Sequence, residues 1–247
     1  MTEAIPAATL ILWRETSPPS ILMVKRASGM AFAADAMVFP GGRVDHADLR
    51  LVPVEADAEE MSARVAAIRE TIEETGIAIG ITPAPSAASI AQMRQALKEG
   101  VSLAELIDAG GYRLDLDAMH PFARWRPPHN GGEARIFDTR FYIALAPDDA
   151  APSADGEEST HAVWAAPADI LREADAGARR IIYPTRRNLE RLASLGSFAQ
   201  ALADAARHPV RLIQPVIEHR ADGDWLCIPD DVGYPVTAEP MLNMTRG

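Results

Sequence analysis

The most informative segment of the sequence is Arg69-Glu70-Thr71-Ile72-Glu73-Glu74-Thr75-Gly76-Ile77. It places three glutamates within five residues, on a segment that reads as a helix ending at Gly76. Residues four apart lie on one helical face, so Glu70 and Glu74 are neighbours and Glu73 lies one step around the same surface. Like charges at this spacing weaken a helix slightly. The cluster therefore indicates either a solvated acidic face or a site for a hard cation such as Mg²⁺.

The composition of the chain limits its partners and its compartment. Its 247 residues suffice for a sizeable core, and a net charge of −11 argues against general nucleic-acid binding, which needs basic surfaces. A single cysteine cannot form an internal disulfide. No signal peptide is read at the start, and no apolar run approaches the ~20 residues that span a bilayer. These features predict a cytoplasmic protein without membrane contact.

The segments before the cluster alternate between strands and loops. Two short apolar runs separated by a proline-rich turn predict a β-hairpin, and a third short strand meets the turn Pro40-Gly41-Gly42. Residues 43–60 predict an irregular insertion with at most a short helical piece. The glutamate helix is predicted to begin at Glu59 and Glu60. The predicted strands are Ala7–Trp13, Ile21–Arg26 and Ala36–Phe39.

The segments after the cluster predict a helical insertion and a C-terminal extension of a mixed fold. Helices are expected within residues 82–120, and a short strand is expected directly after Gly76. The residues from about 180 to 247 form a C-terminal extension too small to be read as an independent domain. The predicted elements are a strand at Ile77–Ile81, helices at Ser89–Glu99 and Ser102–Ala109, strands at Arg135–Leu145 and Ala162–Ala165, a helix from Pro167, helices at Thr185–Leu195 and Ser197–Arg207, and strands at Val210–Val216 and Trp225–Ile228.

The glycine turn followed by the glutamate helix resembles the signature of the Nudix hydrolases. Their box runs Gly, five residues, Glu, seven residues, then Arg-Glu-U-x-Glu-Glu-x-Gly-U, where U is apolar. Arg69 to Ile77 matches the second half, with Thr71 at a usually apolar place. Gly42 stands 27 residues before Arg69 rather than 14, so thirteen residues are inserted. Counted back from Arg69, the first glutamate falls on Met61, and Glu59 or Glu60 are the candidate substitutes.

The insertion within the box points to one branch of that family. Phe39 to Asp45, followed by a long gap and Ala67 to Thr71, is similar to the branch that contains peroxisomal coenzyme A and acyl-CoA diphosphatases. Met23 to Ala27 and Pro184 to Leu189 also resemble this branch. The resemblance covers nearly the whole chain.

The resemblance implies a role for each residue of the cluster. Glu70 and Glu74 would be metal ligands together with a main-chain carbonyl at Gly42, and Glu73 would be a ligand or a base. Arg69 would orient a glutamate of the cluster. A further acid from a late loop is expected, either Glu157 or Glu158, with Glu158 favoured. Three basic residues beside the site would either meet phosphates or simply lie exposed: Lys25, Arg26 and Arg43.

The function implied by the resemblance is metal-dependent hydrolysis of an acid anhydride. A nucleoside diphosphate linked to another moiety would be cleaved with Mg²⁺ or Mn²⁺, and coenzyme A or an acyl-CoA is the first expected substrate. ADP-ribose or another nucleotide sugar is the alternative substrate, and a Nudix-fold ligand-binding module without catalysis is the alternative class. The expected fold is a single-domain α/β/α sandwich (residues 1–247) around a mixed sheet. Dimers are common among the proteins it resembles, so a homodimer is the oligomer to test.

Overall fold

The computed structural model of the chain describes residues 4–29, 33–128 and 136–244. Two short 3₁₀ helices span His46–Leu51 and Leu116–Ala118. The α-helices are α1 Ala58–Thr75, α2 Ala87–Lys98, α3 Leu103–Gly110, α4 Pro167–Asp175, α5 Tyr183–Ala193, α6 Phe198–Arg207 and α7 Met241–Met244. The strands are β1 Ile5–Arg14, β2 Ser20–Arg26, β3 Ala36–Val38, β4 Gly41–Arg43, β5 Ile81–Thr82, β6 Arg113–Leu114, β7 His120–Trp125, β8 Phe137–Leu145, β9 Ser159–Ala165, β10 Arg180–Ile181, β11 Leu212–Ile213, β12 Val216–Arg220, β13 Gly223–Cys227 and β14 Ala238–Pro240.

Strand β1 lies at the centre of a mixed sheet formed by nine of the described strands. The sheet runs β10-β3-β2-β1-β8-β7-β11, with β4 also paired to β1 and β9 to β2. β1 is parallel to β8 along its length, whereas its other edge pairs antiparallel with β4 near its start and with β2 near its end. This shared edge brings the glycine turn of β4 into the sheet beside β1.

Alternating residues of β1 feed two separate cores, one on each face of the sheet. Leu10 and Leu12 pack with Val65, Ile68 and Ile72 of α1 on one face. Because side chains of a strand alternate between faces, the intervening residues of β1 point to the other face. That second core joins β1 to helices α4, α5 and α6 and includes Ile11, Trp13, Ile170, Leu189, Leu192 and Ala201. The predicted α/β/α sandwich is confirmed.

The glutamate helix α1 has defined signals at both ends. The Asp57 side chain accepts hydrogen bonds from the main-chain N–H groups of Glu59 and Glu60, which caps the first turn. Gly76 ends the helix with φ 68°, a left-handed conformation that glycine adopts without steric cost. The prediction of a helix that ends at Gly76 is confirmed.

Several predicted elements differ from the structure where tertiary pairing decides them. Only Ile81 of the predicted strand Ile77–Ile81 is in a strand, the two-residue β5 that pairs with β6. Ile77 and Ile79 are buried but lie outside any strand, so their apolar character reflects core packing. Strand β7, next to β8 in the sheet, was not predicted. Arg135, the first residue of the predicted strand Arg135–Leu145, lies outside the described residues.

The C-terminal extension is tied to the rest of the chain by buried polar contacts. Trp125 of β7 donates through Nε1 to the Tyr234 hydroxyl at 3.0 Å, and that hydroxyl donates to Asn188 Oδ1 at 2.7 Å. Arg187, 2% exposed, binds the Glu239 carboxylate at 2.9 Å. These contacts join α5, the central sheet and the small sheet β12-β13-β14.

Candidate active site

Helix α1 carries Glu70 and Glu74 to the glycine turn of β4. Glu74 Oε2 accepts a hydrogen bond from the main-chain N–H of Gly41 at 3.0 Å. A Cβ atom added to Gly42 would lie 2.4 Å from both Cδ and Oε1 of Glu70. Glycine at this position therefore lets the main chain approach the Glu70 carboxylate closely. The two predicted halves of the site meet in the fold.

Burial raises the pKa values of the glutamates in this cluster. Burial raises the pKa of Glu70 to about 7, although the charge of Arg69 acts in the opposite direction. Glu74 is 2% exposed, and its burial, with the neighbouring charge of Glu70, raises its pKa well above the ordinary range. Burial also raises the pKa of Glu73. Without a cation, burial therefore favours the protonated form of these carboxylates, and a bound cation would favour their charged form instead.

The Arg69 guanidinium forms hydrogen bonds to two glutamates of the cluster. Its Nη1 donates to Glu70 Oε1 at 2.8 Å and to Glu73 Oε1 at 3.1 Å. Its Nη2 also donates to the Arg43 carbonyl at 2.8 Å, which links the helix to the end of β4. Burial disfavours its charge, but the hydrogen bond to Asp48 and the nearby carboxylates keep the pKa of Arg69 above its ordinary value. Arg69 thus lies where an anchor for the two glutamates was predicted.

The bidentate partner of Arg69 is Asp48, a residue that was not among those predicted from the sequence. Asp48 is 2% exposed, and its two carboxylate oxygens accept from Arg69 Nε at 3.0 Å and from Nη2 at 3.1 Å. It stands six positions after Gly42, with the five residues 43–47 between them, as the first acid of the box would. Counting forward from Gly42, rather than back from Arg69, would have found it.

Neither predicted substitute for the first acid lies in the cluster. Glu59 is exposed and pairs with Arg140 at 3.1 Å, and Glu60 pairs with Arg64 at 3.1 Å. Met61 packs beside the core at the start of α1. Because Asp48 keeps the spacing from Gly42, we propose that the inserted residues follow Asp48, within the stretch 43–60 where the insertion was predicted.

Of the two late-loop candidates, Glu158 lies in the field of the cluster. Its charge is one of the causes that raise the pKa values of Glu70, Glu73 and Glu74. Glu157 instead points to Lys98, with Oε1 3.5 Å from Nζ, and is largely exposed. The geometry therefore favours Glu158.

The three predicted basic residues differ in their distance from the carboxylates. Arg26 lies with Nη1 4.0 Å from Glu74 Oε1 and is mostly buried. Lys25 pairs with Asp35 at 3.2 Å on the exposed side of β2. The side chain of Arg43 is exposed while its carbonyl receives Arg69. Only Arg26 of the three is brought against the acidic cluster.

The cluster fits a cation held partly by protein and partly by other ligands. Across residues 4–29, 33–128 and 136–244, no three acidic, histidine or cysteine side chains converge as a full set of metal ligands. Mg²⁺ typically takes one or two carboxylates and keeps several waters. The buried pair Glu70 and Glu74, beside the main chain of Gly42, suits that mode.

Comparison with known proteins agrees with this geometry. The model of the NUDIX domain family matches residues 4–95, which include β1, the glycine turn and α1. Over these residues the chain is therefore similar to the Nudix domain family. A chicken (Gallus gallus) relative, acyl-coenzyme A diphosphatase NUDT19, is 27% identical over 91% of this chain and 76% of its own length. The Xenopus laevis protein of the same name is 22% identical over 89% of this chain and 72% of its own length.

A solved Nudix structure shares the architecture. The crystal structure of a NUDIX hydrolase from Alicyclobacillus acidocaldarius superposes with a TM-score of 0.72 and 27% identity, covering 82% of this chain and 97% of that one. The Nudix fold is thereby confirmed. Within the described part of the chain, no helix combines the length and the apolar character needed to cross a bilayer.

Proposed function

We propose that this protein is a Nudix hydrolase that cleaves the pyrophosphate bond of a nucleoside diphosphate linked to another moiety. The observation that carries the proposal is a pair of carboxylates held against the Gly41-Gly42 turn, the largely buried Glu70 and the buried Glu74. Burial of like charges destabilises the empty site, so the arrangement is best explained by a ligand that carries positive charge.

Glu70, Glu74 and the Gly42 carbonyl would hold Mg²⁺ or Mn²⁺. When bound, such an ion stabilises charge on phosphoryl oxygens and lowers the pKa of coordinated water. Arg69 keeps the Glu70 and Glu73 carboxylates oriented toward this place.

Two side chains are suited to move protons or to bind phosphate. Glu73 is 27% exposed and burial raises its pKa, so it can accept a proton from a water at the mouth of the site. Glu158 would supply a second carboxylate from the late loop. Arg26, at the rim beside Glu74, is placed to bind a phosphate oxygen. Lys25 and Arg43 lie further out, where they would contact the remainder of a long substrate.

Coenzyme A or an acyl-CoA is the first proposed substrate. Two relatives named acyl-coenzyme A diphosphatase align over 91% and 89% of this chain, so the likeness extends beyond the Nudix domain into both insertions and the extension. The expected products are 3′,5′-ADP and 4′-phosphopantetheine or its acyl form.

The test is a substrate panel with one inactivating variant. Coenzyme A, acyl-CoAs, ADP-ribose, NADH and diadenosine polyphosphates would be incubated with Mg²⁺ or Mn²⁺, and the products separated by chromatography. Glu74→Gln should abolish turnover with an unchanged circular dichroism spectrum, whereas Glu59→Gln, an exposed acid on the same helix, should retain it. Turnover of ADP-ribose alone would replace the first substrate, and no turnover of any compound would favour a ligand-binding module.

A further inference from the structure

Arg94, on the first helix of the helical insertion, contacts both parts of the proposed site. Its Nε donates to the Glu73 carbonyl at 2.8 Å, and its Nη2 donates to the Glu74 carbonyl at 3.1 Å. The same Nη2 donates to the Ser153 carbonyl at 2.7 Å, in the loop that leads to Glu158. One guanidinium therefore joins α2, the last turn of α1 and the late loop.

Arg94 contacts α1 at its C-terminal end, where main-chain carbonyls lack a donor within the helix. The last carbonyls of a helix have no intrahelical donor and carry the negative end of the helix dipole. Arg94 satisfies two of them, on the two residues whose side chains are Glu73 and Glu74. Its three hydrogen bonds all go to main-chain carbonyls, so it fixes the backbone rather than neutralising a carboxylate.

The contacts with the late loop continue towards Glu158. Ser153 donates its main-chain N–H to the Thr75 carbonyl at 2.9 Å. Lys98, one turn after Arg94, reaches the Asp155 carbonyl at 3.3 Å. The Asp155 carboxylate accepts the main-chain N–H of Glu158 at 2.9 Å, so the backbone that carries Glu158 is held from α2.

The contacts made by α2 oppose an electrostatic repulsion between Glu158 and the glutamates of α1. Glu158 stands in the field of three glutamates, and like charges at close range push one another apart. The loop from residue 148 to 158 has no helix or strand of its own to resist that repulsion.

We infer that Arg94 is a positioning residue that holds Glu158 beside the carboxylate cluster. The inference rests on the proposed function in that Glu158 is taken as part of the reaction site. It assigns to α2 a role in the geometry of the site, through the backbone of two elements at once.

The test compares Arg94→Ala with Gln95→Ala, whose side chain is exposed on the same helix and bonds only to Glu99 among the described residues. In the metal-free proteins, hydrogen exchange of the amides of residues 153–159 should be faster by roughly tenfold in Arg94→Ala and unchanged in Gln95→Ala. Unchanged exchange in Arg94→Ala would overturn the inference.

Turnover measurements separate positioning from a general loss of stability. Arg94→Ala should lower kcat by roughly ten- to a hundredfold with little change in KM, because a small misplacement of a reacting group is costly. Arg94→Lys, which can reach only some of the three carbonyls, should recover part of that loss. In a Glu158→Gln background, Arg94→Ala should cost much less than in the unmodified protein, whereas a fully additive loss would contradict action through Glu158.

The two proposals fail in different ways. If the unmodified protein hydrolyses nothing on the panel, the proposed function fails, while the exchange measurement still decides whether Arg94 fixes the loop. If turnover is present but exchange and kcat are the same in Arg94→Ala and Gln95→Ala, only the inference about Arg94 fails.

Discussion

Asp48 and Arg69 form a buried ion pair with two parallel hydrogen bonds, at 3.0 and 3.1 Å. Asp48→Asn keeps the shape of the side chain but removes its charge, which leaves the buried guanidinium undercompensated. We expect the free energy of unfolding to fall by about 2–3 kcal/mol, measured by urea denaturation. Glu59→Gln, at an exposed acid of α1, should change it by less than about 0.5 kcal/mol. Equal stability of the two variants would contradict a structural role for Asp48.

Glu70 makes the proposed metal affinity depend on pH. Its pKa is raised from 4.5 to about 7, so the folded, metal-free protein holds this proton where the unfolded chain has released it. The contribution of Glu70 to stability is therefore full below pH 4.5 and is lost as the pH rises through 7. A cation competes with that proton.

The affinity for Mg²⁺ should accordingly rise between about pH 6 and 8, with release of protons on binding. Calorimetric titration in two buffers of different ionisation enthalpy measures the number of protons released. Glu70→Gln should lower that number. An affinity that is constant over this range would show that no carboxylate with a raised pKa takes part in binding.

Residue assignments could be predicted where the chemistry is local in the chain. The spacing of Glu70 and Glu74 follows from the helical repeat, and the structure brings both to the glycine turn. Asp48 was missed because the insertion disturbs the count from one side only. Which acid pairs with Arg69 depends on whether the inserted residues precede or follow the first acid of the box. The count back from Arg69 assumed that the inserted residues precede it.

At the scale of elements, the two adjacent glycines of β4 lie against different kinds of neighbour, one against a side chain and the other against the main chain. A Cβ on Gly42 would meet the movable end of Glu70, whereas a Cβ on Gly41 would lie 2.4 Å from the main-chain oxygen of Ala8. Gly42→Ala should therefore fold and lose turnover, because Glu70 is displaced. Gly41→Ala should lose stability, because the backbone of β1 cannot move aside. Thermal melts beside turnover assays separate the two effects, and full activity in Gly42→Ala would refute the close approach.

The elements that the sequence predicted best carry their own signals. Helix α1 has a cap, an apolar stripe and a glycine stop, and β8 is rich in aromatic and β-branched residues. Strands β4 and β10 have three and two residues, and they are strands only because a neighbour supplies the pairing. Local sequence contains no record of that neighbour.

At the scale of the whole molecule, the extension closes one face of the sandwich. Ile213, Ile228, Val232 and Tyr234 belong to the core that includes Trp13 and Leu189. We propose that residues 1–247 fold as one domain, as the sequence analysis expected. A chain that ends at Arg207 should then lose its cooperative thermal transition and its near-ultraviolet circular dichroism. The truncation removes the Tyr234 hydroxyl that accepts from Trp125 Nε1, and it exposes the core residues that the extension buries.

A chain that ends at Met244 is the control for this truncation. It should melt as the full chain does, since it keeps Tyr234 and Glu239. A chain ending at Arg207 that still melts cooperatively would show that the extension is a separate unit.

The stretch between Asp48 and α1 has a practical consequence. Its two ends are fixed, by the ion pair to Arg69 and by the Asp57 cap, while Val54 between them is fully exposed. Lengthening such a stretch costs little chain entropy. The single cysteine of the protein, Cys227, is buried. Val54→Cys would thus offer one accessible thiol for a fluorophore or a surface tether, on a residue outside the proposed site.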